Sequence, residues 1–136
     1  MPTSCLFCDI VAKKIPAYVV GEDEHAIAFL DIHPRAQGHT LVIPRAHAST
    51  IIDLPEGEVG PLFSFVRRMA VTLVEKLGAE GLTIGINHGK VSGQEVEHLH
   101  VHMVPRFRND GGGSMQNIVN NPNSASLEET VEKITH

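Results

Sequence analysis

The stretch Glu95–Arg106, EVEHLHVHMVPR, places a histidine at every second position between apolar residues. Successive side chains of a β-strand point to opposite faces, so His98, His100 and His102 would share one face and Leu99, Val101 and Met103 the other. The apolar face is ordinary core. Three imidazoles on one face repel one another when protonated, so a purely structural sheet would gain little from them. That face therefore carries chemistry, whereas His25, His33 and His136 read as solvated or hydrogen-bonded side chains.

The rest of the chain supplies partners for such a strand. Val19–Glu22, Ala26–Asp31 and Thr40–Pro44 are strand candidates, and Leu82–Asn87 and His98–Pro105 are two more. Between Glu58 and Leu77 apolar residues recur at Val59, Leu62, Val66, Met69, Leu73 and Leu77, the repeat of an amphipathic helix, with Gly78 as its stop signal. Cys5 to Lys13 reads as one or two helical turns ended before Pro16. Strands in series, one long helix and two further strands predict an α+β fold with a mainly antiparallel sheet of about five strands and a short N-terminal helix.

The 136 residues, 42% of them hydrophobic and 20% charged, fit one globular domain. Residues 1–108 form the expected catalytic core. Residues 109–136 begin with the Gly- and Asn-rich NDGGGSMQNIVNNPNSAS and read as a tail, in which Ser126 and Glu129 have capping-box spacing for a short C-terminal helix. A formal net charge of −5 gives no basic footprint for nucleic acid. No apolar run approaches the roughly 20 residues that span a bilayer, and the N-terminus has no signal-peptide pattern, so no membrane partner is expected and the location is expected to be cytoplasmic. In a reducing compartment the C-x-x-C of Cys5 and Cys8 indicates metal or redox chemistry, or two buried thiols, although nothing nearby resembles a thioredoxin βαβ unit.

Two chemistries could use the three histidines. They could bind one zinc ion and leave an open position for an activated water, which would make a mononuclear zinc-water hydrolase. Alternatively, one imidazole could attack an electrophile while its neighbours donate hydrogen bonds to the developing charge. A binding or regulatory module with little turnover is a third reading, and the resemblance given next would make it a nucleotide-binding one.

Here the sequence resembles the histidine-triad (HIT) family of nucleotide hydrolases and transferases, and within it the Hint-like branch. The resemblance spans roughly residues 5 to 107. It rests on HLHVHMV together with CLFCDIVAKKIPA, AFLDIHPRAQGHTLVIPRAH and INHGKVSGQEVEHLHVHMVPR, which occur in the family's order. It implies a nucleophilic His100 that attacks the α-phosphorus of a nucleoside 5'-phosphoramidate or related purine conjugate of AMP or GMP, forming a nucleotidyl-histidine that water hydrolyses. The ring of His100 would be held by the His98 carbonyl. His102 would donate to a phosphate oxygen, as would backbone N–H groups near Gly93 and Gln94, and Asn87 would reach the phosphate or leaving group.

The resemblance further implies that Asp31 holds the ribose hydroxyls and that Leu6, Phe7, Ile10, Phe29 and Ile32 form the slot for the base. Glu95 stands where the eukaryotic branch has a serine that contacts the leaving group, and a carboxylate there repels a phosphate unless it turns away or pairs with a cationic amine. Cys5 and Cys8 resemble the zinc-bearing bacterial members, whose other ligands fall on His47 and His98. One structural zinc per chain, no organic cofactor and a homodimer complete what the resemblance implies.

Overall fold

The computed structural model describes residues 4–136. Its elements in chain order are α1 (Leu6–Val11), β1 (Val19–Glu22), β2 (Ala26–Leu30), β3 (Thr40–Pro44), α2 (Glu56–Leu77), β4 (Gly81–Gly85), β5 (Val101–Arg106) and α3 (Leu127–Thr135). The five strands form one sheet in the order β1-β2-β3-β5-β4, and every neighbouring pair is antiparallel. This is the expected α+β class. α2 begins two residues earlier than its apolar repeat suggests, with Glu56 and Glu58 in a first turn that favours acidic side chains. It ends at Gly78, whose φ of 67° is the left-handed cap that glycine adopts without a Cβ penalty.

Strand alternation divides the core into two layers. Ala26, Ala28, Val42, Leu99, Val101 and Met103 pack with Leu62, Phe65, Val66, Met69 and Leu73 of α2. Ile27, Phe29, Leu41 and Ile43 turn to the other face, where Phe7 and Ile10 of α1 cover them. Leu99, Val101 and Met103 thus lie together on the α2 side, as the period of two requires. β3 is buried along its whole length, the position expected of a central strand.

β5 starts at Val101 rather than at His98. The register pairs Thr40 with Met103, Leu41 with His102 and Val42 with Val101, and the ladder stops there. Two residues further along β3 stands Pro44, which has no N–H to give, and its carbonyl accepts from the His98 ring at 2.9 Å. The Leu99 N–H instead donates to Ala48 O at 2.7 Å. His98 and His100 therefore lie in an extended run just before the strand, and β4 likewise occupies Gly81–Gly85 rather than Leu82–Asn87, leaving Asn87 in the loop beyond it.

The C-terminal segment carries the expected cap: the Ser126 hydroxyl accepts from Glu129 N, the Glu129 carboxylate from Ser126 N. Arg106 fixes the start of this segment, donating to both Asp110 carboxylate oxygens, to Thr83 Oγ1 and to Gly113 O. Among the described residues no helix is long and apolar enough to cross a membrane.

Candidate active site and metal centre

Cys5 caps α1: its sulfur accepts from Cys8 N at 3.3 Å, and the helical turn places both sulfurs on one side. Against them lie His47, beyond the end of β3, and His98. The Cys5 sulfur is 3.5 Å from His47 Nδ1 and 3.4 Å from His98 Nδ1, and the Cys8 sulfur is 3.2 Å and 3.5 Å from the same two atoms. A tetrahedral zinc site with ordinary Zn–S and Zn–N bonds has S···N edges of about 3.5 Å, so the four residues fit that ion.

Hydrogen bonding prepares the ligands. A carbonyl only accepts, so Pro44 O fixes the proton of His98 on Nε2 and leaves the Nδ1 lone pair facing the sulfurs. Burial, with the neighbouring His47 and His100, pushes the pKa of His98 from the usual 6.5 down to about 4, which keeps the ring in its neutral, ligating form. Burial and the adjacent Cys5 push the Cys8 thiol up to about 11, so a cation binding there displaces a proton.

One carbonyl further on, the geometry changes purpose. His100 Nδ1 lies 2.8 Å from His98 O, so Nδ1 carries the proton and Nε2 keeps a free lone pair. Its ring meets the edge of Phe7 at a centroid distance of 5.2 Å and that of His102 at 5.1 Å, and it lines a cleft of about 640 Å³.

His102 is prepared the opposite way, through a residue that the sequence pattern did not single out. Arg35 N donates to His39 Nδ1 at 3.1 Å, which places the His39 proton on Nε2. That atom is 3.0 Å from His102 Nδ1, which accepts, leaving His102 with an Nε2–H donor. Asp31 Oδ2 lies 3.6 Å from the same His39 nitrogen. Asp31, His39 and His102 cluster closely enough to suggest a second metal site. The Arg35 N–H argues against one, because a cation at His39 Nε2 would have to displace the proton that this bond holds there. The cluster is a hydrogen-bond relay, and among the described residues no buried side-chain nitrogen or oxygen lacks a partner. Burial, reinforced by His100 and His39, pushes His102 down to about 4, and burial also lowers His39.

His39 could have been found from the hairpin register. Leu30 pairs with Thr40, so Asp31 and His39 are the next residues outward on β2 and β3, and Asp31 N bonds His39 O at 2.9 Å.

The cleft gathers nearly all the residues expected of a binding site. Phe7, Ile10 and Phe29 are buried in its floor, while Leu6 and Ile32 are exposed at its rim. Asp31, Asn87, Gly93, Glu95, His100 and His102 line it too, together with Ile15, Tyr18 and Arg35, which the sequence did not flag. One Asp31 oxygen already accepts from His33 N at 2.8 Å, so the residue also shapes its own turn. Gln94 is not among the lining residues. Its side chain accepts from Gly89 N and donates to Ser49 O and Val96 O, tying down the loop that ends at the triad. The N–H groups of Gly93 and Gln94 are already bonded to Lys90 O and Gly89 O in the turn around Lys90–Ser92. The three triad histidines do not converge on one ion among the described residues: His98 belongs to the cysteine set and His102 to the relay.

Fold and site define a class by geometry: an antiparallel five-stranded α+β domain in which an interior strand and the extended run before it deliver His102 and His100 to one cleft. The HIT domain model matches residues 12–109, and the chain belongs to that family. It is 47% identical over 107 residues to an uncharacterised HIT-like protein of Methanocaldococcus jannaschii, covering 79% of this chain and 82% of that one. A zinc-bound histidine triad family protein from Mycobacterium smegmatis superposes with a TM-score of 0.75 at 42% identity, over 79% of this chain and 78% of that one. The adenosine 5'-monophosphoramidase of Saccharomyces cerevisiae is 32% identical over 106 residues, 78% of this chain and 65% of the enzyme.

Proposed function

We propose that the protein hydrolyses nucleoside 5'-phosphoramidates, or related purine nucleotide conjugates of AMP or GMP, through a nucleotidyl intermediate on His100. The observation that carries this reading is the pairing of a bare imidazole nitrogen with an imidazole donor in one cleft: His100 donates through Nδ1 to His98 O, and His102 accepts through Nδ1 from His39. A neutral imidazole is a competent nucleophile near pH 7 and a good leaving group once phosphorylated. His100 Nε2 attacks the α-phosphorus, the bond to the leaving group breaks, and the departing atom keeps the electron pair and takes a proton from solvent. Water then attacks the same phosphorus, releasing the nucleoside monophosphate and neutral His100. His102 Nε2–H stabilises the phosphoryl oxygens in both steps. Asp31 takes the ribose hydroxyls, Leu6, Phe7, Ile10, Phe29 and Ile32 take the base, and Asn87 takes the phosphate or leaving group.

Cys5, Cys8, His47 and His98 would hold one structural zinc per chain, whose contribution is folding free energy and a fixed position for His98. The phosphoramidase name of the yeast relative supports the substrate class. We assign catalysis to residues 1–108 and a cytoplasmic location. A homodimer is supported by the second apolar stripe of α2, where Phe63, Val71 and Val74 stay exposed. The deciding experiment assays AMP and GMP phosphoramidates, dinucleoside polyphosphates and sugar nucleotides with and without chelator. His100→Ala should retain AMP binding and zinc while losing turnover by about 10⁴-fold or more. Immediate loss of activity on chelation, with His100→Ala active, would establish the zinc-water mechanism instead. AMP binding without release from any conjugate would leave a regulatory module.

A further inference from the structure

The first turn of α1 sets the two cysteines of the chain side by side. They are its only two, both are free thiols, and their sulfurs lie within 4.8 Å of each other and of the ligating nitrogens of His47 and His98. Two sulfurs must close to about 2 Å to bond, and a three-residue spacing at the start of a helix is the arrangement of reactive Cys-X-X-Cys dithiols. Cys5 also opens on a groove of about 350 Å³ that Ser4, His47 and Ser49 line, so a small solute reaches its sulfur from outside. With no other cysteine in the chain, each sulfur has one intramolecular partner.

The residues between the cysteines tie this turn to the cleft. Leu6 and Phe7 both line it, Phe7 from its floor. The Phe7 ring meets that of His98 at a centroid distance of 6.0 Å and that of His100 at 5.2 Å, edge to face in each case. A change in the turn from Cys5 to Cys8 is therefore felt both by the apolar slot and by the ring of His100.

We propose that Cys5 and Cys8 form a site of reversible oxidation, at which hydrogen peroxide joins the two sulfurs as a disulfide, releases the cation held there and loosens the nucleotide cleft. This rests on the zinc reading given above. The Cys5 sulfur attacks one peroxide oxygen, the O–O bond breaks, and the other oxygen leaves and is protonated to water. Cys5 is then a sulfenic acid. The Cys8 sulfur attacks the Cys5 sulfur, and the sulfenic oxygen departs as a second water. The two sulfurs have lost two electrons and the peroxide has gained them. Sulfurs bonded to each other no longer carry the thiolate charge that holds a divalent cation, and His47 and His98 alone are two neutral ligands. His98 keeps its bond to Pro44 O, so the change falls on the α1 side of the site. A dithiol reductant returns both thiols.

The test treats the zinc-loaded full chain with hydrogen peroxide in the presence of a chromogenic zinc indicator. Zinc release should track the loss of two thiols per ion, and a peptide map without reductant should recover Cys5 joined to Cys8. Dithiothreitol with added zinc should restore both. The calorimetric affinity for AMP should fall on the order of tenfold on oxidation and recover on reduction. A reduced chain stripped by chelator, measured alongside, separates the effect of the disulfide from that of metal loss. Oxidation to sulfinate without a cross-link, a disulfide formed only between chains, or zinc retained beside the disulfide overturns the proposal. An AMP affinity that oxidation leaves unchanged overturns the coupling to the cleft. If the chain purifies without zinc, the metal reading falls, and the peptide map and the AMP affinity then decide the disulfide and its effect on the cleft by themselves.

Discussion

Two histidine pairs, built from the same side chain and anchored four residues apart at His98 and His102, have unlike geometry. In His47 and His98 both Nδ1 atoms converge on the sulfurs of Cys5 and Cys8, the pattern of metal ligands. In His39 and His102 one ring donates to the other, the pattern of a relay. What separates them is the backbone group on the far nitrogen. Pro44 offers a carbonyl to His98 Nε2, so the lone pair on Nδ1 is left for a cation. Arg35 offers an N–H to His39 Nδ1, so a proton is left on Nε2 for His102. The role of an imidazole is thus written in the main chain behind it.

The largest effect expected from breaking this contrast is on the metal side. Cys8→Ser should lose zinc and about 4 kcal/mol or more of stability, a fall of roughly 14 °C or more in Tm, with a smaller change in rate per folded molecule. Metal analysis and calorimetry check it, and a metal-free wild type that is stably folded would remove the distinction. On the relay side, His102→Ala should keep zinc and stability but slow turnover about 100- to 1000-fold, the cost of one oxyanion donor. His39→Ala, acting only through His102, should cost about 10- to 100-fold in kcat with metal content unchanged. Equal losses from Cys8→Ser and His39→Ala, in both stability and kcat, would show that the two pairs form one unit.

Asp31 sharpens the comparison, because it touches the relay and faces the cleft. Asp31→Ala should weaken ribonucleotide binding by about 1.5 to 3 kcal/mol and deoxyribonucleotide binding by less. Equal losses would assign the carboxylate to His39 and its turn alone. The smallest effect is on pH dependence. Burial, then His100 and His39, holds His102 near 4 in the folded state against the usual 6.5, so the unfolded chain binds the extra proton in that interval. Stability should therefore be at its full value above pH 6.5 and fall as pH drops toward 4. Thermal unfolding between pH 7 and 4.5 measures this, and His102→Gln should flatten part of the slope.

The elements most legible in the sequence are those that a single periodicity defines. TLVIP is an apolar run of strand length and α2 a sustained 3.6-residue repeat, and both formed with boundaries close to the pattern. Two kinds of information were hidden. The first is competition for backbone groups: alternation extends the triad strand back to His98, but Pro44 offers no donor and its carbonyl is taken by a side chain, so pairing ends at Val101. The second is register. Arg35, His39 and Asp31 come together only because a hairpin sets Leu30 opposite Thr40, and no local pattern marks His39 as different from His33. The C-x-x-C motif, by contrast, was visible locally, and the choice among metal, redox pair and buried thiols rested on residues 39 or more positions away.

His98 has a place in the history of each molecule as well as in its geometry. Its ring faces Cys5 across 93 positions of chain, and its carbonyl orients His100 only two residues later. During synthesis the cysteines emerge before their partners; nothing can close around them as four ligands until His98, 90 positions beyond Cys8, has left the ribosome. The segment that would complete a zinc cage is the one that brings in the proposed nucleophile. Under the proposed function, metal loading and catalytic competence would mature together, and a chain cut short before that point would hold neither.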